Sequence, residues 1–437
     1  MRYIARFLGW RPAQRLAVCA CVVALLPIAC GGSSDERGVV VTATSPNVVS
    51  YWNDIANRTV LAVGPINSTE AEQRPSYHVD LATLHVAIYD AVSAIDGRFV
   101  PFATAPTTPA AGASIEAAVS AAAYGVLRAL YPDRAVEYQA GYDSAVAAIP
   151  TGTAKVKGIA VGSEVAAAVV ALRAHDGRAV ALAPYVSSGA PGKFRSANPT
   201  PMNRYVPYIR PFSLARADQF RPPPPPRLDG AAYAADFDAS KAGGGATSAA
   251  RSAEQLETAR FHSETPNVFV PRNLGRFAAS TADVAEAARL MAFIYVAHAD
   301  AITACFEAKY FYEAWRPLSA IPLADGDGNP ATLADPAWTP VLPTPNHPEY
   351  PAAHSCTSGA LGETLRRYYG TRKVSYRFDS NATHTTRSYG DTDALNEESR
   401  IARVYGGMHF GFSTVAGVEL GSQVAQWVGR HHFARRD

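Results

Sequence analysis

Apolar residues recur at helical spacing along most of this chain. Alanine-rich segments with a period near 3.6 residues dominate, and alternating runs of β-branched residues are scarce, which predicts an all-α fold. The stretch Ser76–Ile95 is a strong example, because its apolar residues form one stripe along a helix. Further helices are predicted at Val49–Val63, Gly112–Tyr131, Ala135–Ile149, Thr153–His175, Gly230–Lys241, Ser252–His262, Ala282–Trp315, Ser355–Tyr369, Ala394–Gly406 and Thr414–Val428.

The predicted helices fall into two groups. Residues 51–175 are expected to form an N-terminal bundle, and residues 230–437 a C-terminal bundle that carries the active site. Residues 176–229 between them form an irregular connection in which Pro222–Pro226 favour polyproline II. We expect Gly243–Gly245 to be flexible, and the sequence shows no internal repeat. The architecture predicted is two helical bundles packed together, with long irregular connections.

The N-terminus has the pattern of an export signal. A basic region containing four arginines precedes the apolar stretch Leu16–Ala29, which is too short for a comfortable membrane span. Cys30 then stands where a lipoprotein is cleaved and lipidated, with an ordinary signal peptidase cut as the alternative. Residues 30–50 are predicted to be a flexible tether. We therefore expect an exported protein that is periplasmic, anchored to the outer membrane only through lipid on Cys30, or secreted.

Net charge and hydropathy limit the classes of partner, and the cysteine content limits the possible disulfides. The formal net charge of +2 becomes −2 once residues 1–29, with four arginines and no acidic residue, are removed, so no nucleic-acid partner is indicated. No segment after the signal is long and apolar enough to cross a membrane, and nothing indicates an oligomeric state. Cys305 and Cys356 either form a disulfide in an oxidising compartment or remain buried thiols.

Candidate catalytic residues lie in three segments of the last third of the chain. In KYFYEAWRP, Lys309 and Arg316 are seven residues apart, which predicts two cations on one side of a helix. Pro317 disfavours helix at Arg316, so this guanidinium is expected at a helix end. In PTPNHPEYPAAHSCTSGA, His354 stands at the mouth of a helix, where backbone N–H groups favour an anion.

The third segment is SRIARVYGGMHFGFS. Arg403 lies near the end of one helix, and His409 lies just ahead of Ser413, the predicted N-cap of the next. Arginine and lysine are the side chains that hold oxyanions, and histidine transfers protons near neutral pH. Each of these residues alone is more often a solvated or structural group, but their joint spacing favours a buried site for a tetrahedral oxyanion.

These three segments resemble the signature of vanadium-dependent haloperoxidases and of the related type 2 phosphatidic acid phosphatase superfamily. The matching positions are Lys309–x6–Arg316–Pro317, Tyr350–Pro351–x–x–His354 and Arg403–x5–His409. LHVAIYDAV near His85 and PFSLARADQFRPPPPP are similar to bacterial haloperoxidases as well. The resemblance therefore extends over most of the mature chain.

The resemblance implies a vanadate cofactor, whose place phosphate can take. His409 would bond the vanadium, and His354 would be the acid–base group that activates hydrogen peroxide. The oxygens of vanadate would be neutralised by Lys309, Arg316 and Arg403. The bound peroxide would oxidise halide to a hypohalous species, which acts on a small organic acceptor. A histidine at His347 resembles bromoperoxidase-like members and favours bromide or iodide; its alternative is a surface loop residue.

The chain departs from this signature at two places. Relatives usually read Pro-Ser-Gly-His where this chain has Pro351–Ala352–Ala353–His354, so a serine hydroxyl worth roughly 1.5–3 kcal/mol to a charged ligand is missing. Relatives also usually carry an acid at the position of Ser413, which would orient the imidazole of His409. Both departures count against a phosphatase activity as much as against a peroxidase activity.

Three functions are compatible with these residues. The leading one is a vanadate-dependent haloperoxidase. The second is an acid phosphatase in which His409 attacks phosphorus, giving a phosphohistidine, and His354 protonates the leaving group. The third is a non-catalytic anion-binding surface lipoprotein, whose site has decayed through Ala352, Ala353 and Ser413.

Overall fold

The computed structural model describes residues 38–63, 77–264 and 266–436, so the predicted signal Met1–Ala29 and Cys30 lie outside the described residues. The protein is 55% helical, which confirms the all-α prediction. The N-terminal helices are α1 Val48–Val63, α2 Tyr77–Asp96, α3 Ile115–Leu130, α4 Ala135–Ala147 and α5 Thr153–Arg173. The later helices are α6 Ala231–Gly244, α7 Ala253–Phe261, α8 Pro266–Ala278, α9 Val284–Tyr312, α10 Pro317–Ala320, α11 Ala353–Tyr369, α12 Ala394–Tyr405 and α13 Gly411–His431.

The central element is α9, a helix of 29 residues. The Asp283 carboxylate begins it by accepting the N–H groups of Ala285 and Glu286, and Glu313 ends it in the left-handed conformation, with φ of 51°. By length and composition α9 could cross a membrane, so the expectation that no segment after the signal has this character is wrong. Its most apolar window is 94% buried inside the protein, as expected of a core helix.

Helices of both predicted bundles pack on α9. α1 and α2 of the N-terminal group contact it, as do α8, α11 and α13 of the C-terminal group. One continuous apolar core runs through these contacts, from Val49 to Phe433. The N-terminal ends of α11 and α13 thereby lie near the C-terminal end of α9.

A small sheet was not predicted. β1 (Val39–Val40) pairs in parallel with β2 (Val374–Ser380), and β2 forms an antiparallel hairpin with β3 (Thr385–Tyr389). Part of the predicted tether is therefore docked against the protein. The Asn47 side chain continues this docking by donating to the carbonyls of Ala278 and Thr281, at 2.8 and 2.9 Å.

Two local predictions fail. The sequence analysis placed no helix over Pro266–Ala278, yet α8 forms there with Pro271 in its interior, and Asn57 of α1 donates to the carbonyl of Pro271. The segment Gly243–Gly245, expected to be flexible, ends α6 in close packing. A Cβ on Gly244 would lie 2.5 Å from the Cα of Gly407, so two backbones meet here.

The irregular connection has a structural role of its own. Residues 192–223, the cover segment, lie against the first two candidate segments. Phe194 N–H donates to Glu313 O at 2.7 Å, and Met202 N–H donates to Asn346 O at 2.8 Å. Asp300 of α9 holds the same connection by accepting the N–H groups of Phe212, Ser213 and Leu214. Tyr312, the last residue of α9, donates to the carbonyl of Pro222, and Tyr350 of the second candidate segment donates to that of Pro223.

Candidate active site

All three candidate segments contribute to one buried pocket. Lys309 lies in the last turn of α9, whereas Arg316 lies beyond the helix as the extended N-cap of α10. The prediction that both cations share one helix face is therefore wrong, because α9 ends at Tyr312. The turn after α9 nevertheless directs the Arg316 guanidinium back into the same pocket, where it hydrogen-bonds His347 and His409.

The two other segments bring helix N-termini to this pocket. His354 is the second residue of α11, and Arg403 lies in the last turn of α12. His409 immediately precedes Phe410, the N-cap of α13, so the prediction of Ser413 as the N-cap is wrong. The physical reason is Asp236 of α6, whose carboxylate accepts the Phe412 N–H and satisfies the start of α13 from outside.

Buried positive charge dominates the pocket. Lys309 is 0% exposed, and Arg316 and Arg403 are each 2% exposed. Within the described ranges, no carboxylate pairs with any of these three cations at salt-bridge distance. The carboxyl group of Glu349, itself fully buried, acts on Lys309 and Arg316 from farther away. Because isolated buried charges are costly, this arrangement calls for an anion.

The pKa values of the cations reflect the same imbalance. Burial, aided by the nearby Arg316, lowers the pKa of Lys309 from 10.5 to about 8. Burial likewise lowers the pKa of Arg316 to about 10 and that of Arg403 to about 9. A bound anion would oppose these shifts, since an opposite charge favours the protonated cation.

Donors remain available to such an anion. Lys309 Nζ donates to the carbonyls of Pro348 and Glu349 at 3.0 and 2.9 Å, which leaves one of its three N–H groups free. Arg403 donates to His262 O at 2.9 Å and to Met408 Sδ at 2.8 Å. Its Nε is buried and finds no acceptor in the described part of the chain. These donors fit a tetrahedral oxyanion.

His409 is fixed in one tautomer. Its Nδ1 lies 2.8 Å from Glu349 Oε1, and its Nε2 lies 2.9 Å from an amino group of Arg316. A guanidinium can only donate, so Nε2 carries the lone pair and Nδ1 carries the proton. Burial, together with Arg316 and Lys309, holds the pKa of His409 well below its usual value, so the imidazole is neutral.

Glu349 was missed by sequence reasoning. It lies between His347 and His354 in the second segment, on the loop before α11. Burial raises its pKa to about 7, although Arg316 and Lys309 act in the opposite direction. The serine at Ser413, where relatives carry an acid, indicated that another acid would have to orient His409. Nothing local distinguished Glu349 from Glu313, the acid in the first candidate segment.

His354 is the more accessible histidine. It is partly exposed, whereas His409 is 1% exposed. Burial and the surrounding charges, first among them Arg403, hold the pKa of His354 well below its usual value. Its neighbour His262, also missed by sequence reasoning, is buried and pairs with Glu398 at 2.8 Å. A neutral imidazole at the pocket mouth can accept a proton.

His347 is part of the pocket wall. It is 7% exposed, so the alternative of a surface loop residue is wrong. Its Nδ1 lies 3.0 Å from an amino group of Arg316, and the ring of Phe306 meets it edge-on at 5.1 Å. Behind the pocket, Cys305 and Cys356 are buried free thiols, which agrees with the second of the two states expected for them.

Three comparisons match this architecture to known proteins. Residues 289–436 match the family model of the VCPO second helical-bundle domain. The chain is 35% identical over 105 residues to the vanadium chloroperoxidase of Curvularia inaequalis, a match of 22% of this chain and 17% of that protein.

The fold is similar to those of two solved bacterial proteins. One is described as the first bacterial vanadium-dependent iodoperoxidase, with a TM-score of 0.69 and 22% identity over 90% of this chain and 100% of that one. The other is a holo-type bacterial vanadium-dependent chloroperoxidase, with a TM-score of 0.66 and 15% identity over 89% of this chain and 97% of that one.

Proposed function

We propose that this chain, whose residues 289–436 belong to the vanadium haloperoxidase domain family and whose fold is that of the bacterial members, is a vanadate-dependent haloperoxidase. It would oxidise halide with hydrogen peroxide, and a small organic acceptor would take up the product. The observation that carries the proposal is the pocket in which three buried cations converge, with no carboxylate of the described residues paired to them.

The residues of this pocket suit vanadate. The lone pair on Nε2 of His409, which here accepts an N–H of Arg316, would bind the metal centre instead. Arg316 would then turn this donor to the oxygens of vanadate, which Lys309 and Arg403 would also hold. When bound, vanadate supplies a Lewis-acidic centre that makes hydrogen peroxide electrophilic toward halide. The buried and unsatisfied Nε of Arg403 supports this assignment, because a bound oxygen would satisfy it.

His354 would handle the protons. It is neutral and partly exposed, so it can accept a proton from hydrogen peroxide as the peroxide enters. The proton would then be returned to the leaving water. The position of His354 in the first turn of α11 favours negative charge beside it.

His347 would tune halide preference. Its hydrogen bond to Arg316 and its contact with Phe306 give this wall a polar group and an aromatic edge. We favour bromide or iodide over chloride for this chain. Comparing turnover of the three halides in wild type and in His347→Phe tests this preference.

The proposed activity is tested by bromination of monochlorodimedone with hydrogen peroxide, with and without orthovanadate. Turnover should require vanadate. His354→Ala should lose about a hundredfold or more of the rate while still binding vanadate, because general acid–base catalysis contributes about 10²–10⁴-fold. His431→Ala, at an exposed histidine of the C-terminal turn, is the control. Folded protein without any vanadate-dependent signal would refute the proposal.

A phosphatase is the second candidate. The neutral Nε2 of His409, aimed at the same cations, is also the geometry of a nucleophile toward bound phosphate. Turnover of p-nitrophenyl phosphate that vanadate inhibits, in the absence of halide oxidation, would select it.

Export and lipidation at Cys30 complete the proposal. The signal pattern of Met1–Ala29 supports both. Fractionation of cells that express wild type and Cys30→Ser tests them. The variant should leave the membrane fraction if lipid on Cys30 is the anchor.

A further inference from the structure

We propose that Glu349 is a positioning residue that makes the pocket prefer vanadate to tetrahedral anions that form no bond to histidine. Together with Arg316, which donates to Nε2, it would hold His409 in the tautomer whose lone pair faces the cations. This inference rests on the proposed function. Anion binding as such comes from the cations, whereas Glu349 would determine how strongly vanadate is preferred to sulfate.

The contacts of the Glu349 carboxylate fix the imidazole ring. Its Oε1 accepts the Nδ1–H of His409 at 2.8 Å and the backbone N–H of Phe410 at 3.1 Å. Two donors on consecutive residues therefore converge on one oxygen. Because the His409 ring and the Phe410 N–H bind the same oxygen, the imidazole can neither flip nor change its tautomer without losing its hydrogen bond to Glu349.

The backbone of Glu349 is fixed by the other two candidate segments. Its N–H donates to Ala314 O at 2.9 Å, and its carbonyl accepts Lys309 Nζ at 2.9 Å. Its carbonyl also accepts the hydroxyl of Ser413 at 3.3 Å. Ser413 therefore supports Glu349 at the place where a local acid is absent.

Two effects of Glu349 on anion binding have opposite signs. As a negative charge beside the cations Lys309 and Arg316, it weakens the attraction for any anion. As the partner of Nδ1, it keeps the lone pair of His409 on Nε2, where a ligand that bonds to nitrogen would replace the N–H of Arg316. This effect strengthens only such a ligand. Vanadium accepts such a bond, whereas sulfate is held by the cations alone. Removal of the carboxylate should therefore separate the two ligands.

Isothermal titration of the mature protein with orthovanadate and with sulfate tests this separation. In Glu349→Ala, we expect vanadate affinity to fall about 10- to 100-fold, the usual effect of losing such a partner. Sulfate affinity should stay the same or rise. Glu349→Gln, which keeps an acceptor without the charge, should lose less vanadate affinity than Glu349→Ala while matching it for sulfate.

Asp236→Ala is the matched control. Asp236 also binds the start of α13 through the N–H of Phe412, but it touches neither His409 nor the buried cations. It should reduce stability and leave the ratio of vanadate to sulfate affinity unchanged. In parallel, ¹⁵N NMR of the histidine rings should report a protonated Nδ1 at His409 in wild type and a smaller share of that tautomer in Glu349→Ala, where Arg316 alone favours it.

The possible outcomes are distinct. Equal losses for vanadate and sulfate in Glu349→Ala would indicate a merely structural role and overturn the inference, as would unchanged vanadate affinity or an unchanged tautomer. Failure of the wild type to bind vanadate would overturn the proposed function, and this inference with it. Wild-type vanadate binding with no separation between the two anions overturns the inference alone.

Discussion

Replacing Ala352 by serine should strengthen the oxyanion site. Ala352 is the N-cap of α11, fully buried and extended, with φ of −72° and ψ of 120°, and it offers no side-chain cap. A serine oxygen there can accept an N–H of the first turn, which is worth about 1 kcal/mol. Its own hydrogen remains free to donate into the pocket beside His354.

The first bond sets the expected gain in stability, and the second sets the expected gain in vanadate affinity. A hydrogen bond to a charged group contributes roughly 1.5–3 kcal/mol, so vanadate should bind about ten- to a hundredfold more tightly to Ala352→Ser. Calorimetric titration measures this change, and urea unfolding without any anion measures the contribution of the cap. Ala353→Ser, one residue into the helix, is the control. A stabilised protein with unchanged vanadate affinity would show that the hydroxyl caps α11 without reaching the oxyanion, and it would refute the reasoning.

Two further predictions concern charge and packing. Because burial lowers the pKa of Lys309 to about 8, its positive charge is lost as pH rises through that value. Sulfate affinity, measured by titration calorimetry, should therefore fall above about pH 8 in wild type but not in Lys309→Met. A wild-type affinity that does not change with pH would contradict this. Gly421→Ala places a Cβ 1.9 Å from the carbonyl oxygen of Cys356, so it should cost roughly 1–3 kcal/mol in urea unfolding. Gly326→Ala, with open space around it, should change little, and equal effects of the two substitutions would refute the packing argument.

Sequence reasoning located most helices because their signals are local. Apolar periodicity and the residues that begin and end a helix identify α2, α7 and α9 to within a few residues. The same reasoning missed α8 and the hairpin β2–β3. α8 packs on α1, where Asn57 donates to the carbonyl of Pro271 from more than two hundred residues earlier in the chain, and no local pattern reports such a contact.

The candidate site was predicted in its members more than in its geometry. The cations and histidines were identified by their spacing, yet Arg316 reaches the pocket from a turn rather than from the helix of Lys309. Glu349 could not be found, because its role depends on how the loop before α11 meets the start of α13. Its contact with His409 also answers the departure at Ser413, which had favoured a decayed site.

The cover segment, residues 192–223, has a consequence for how such a protein can diversify. It lies against the wall of the pocket through backbone and tyrosine hydrogen bonds, while the buried cations Lys309, Arg316 and Arg403 come from other parts of the chain. Substitutions in it can therefore change the surroundings of the pocket without removing the side chains that supply its positive charge. The surroundings and the buried charge can thus evolve independently, and selection can change one while the other is preserved.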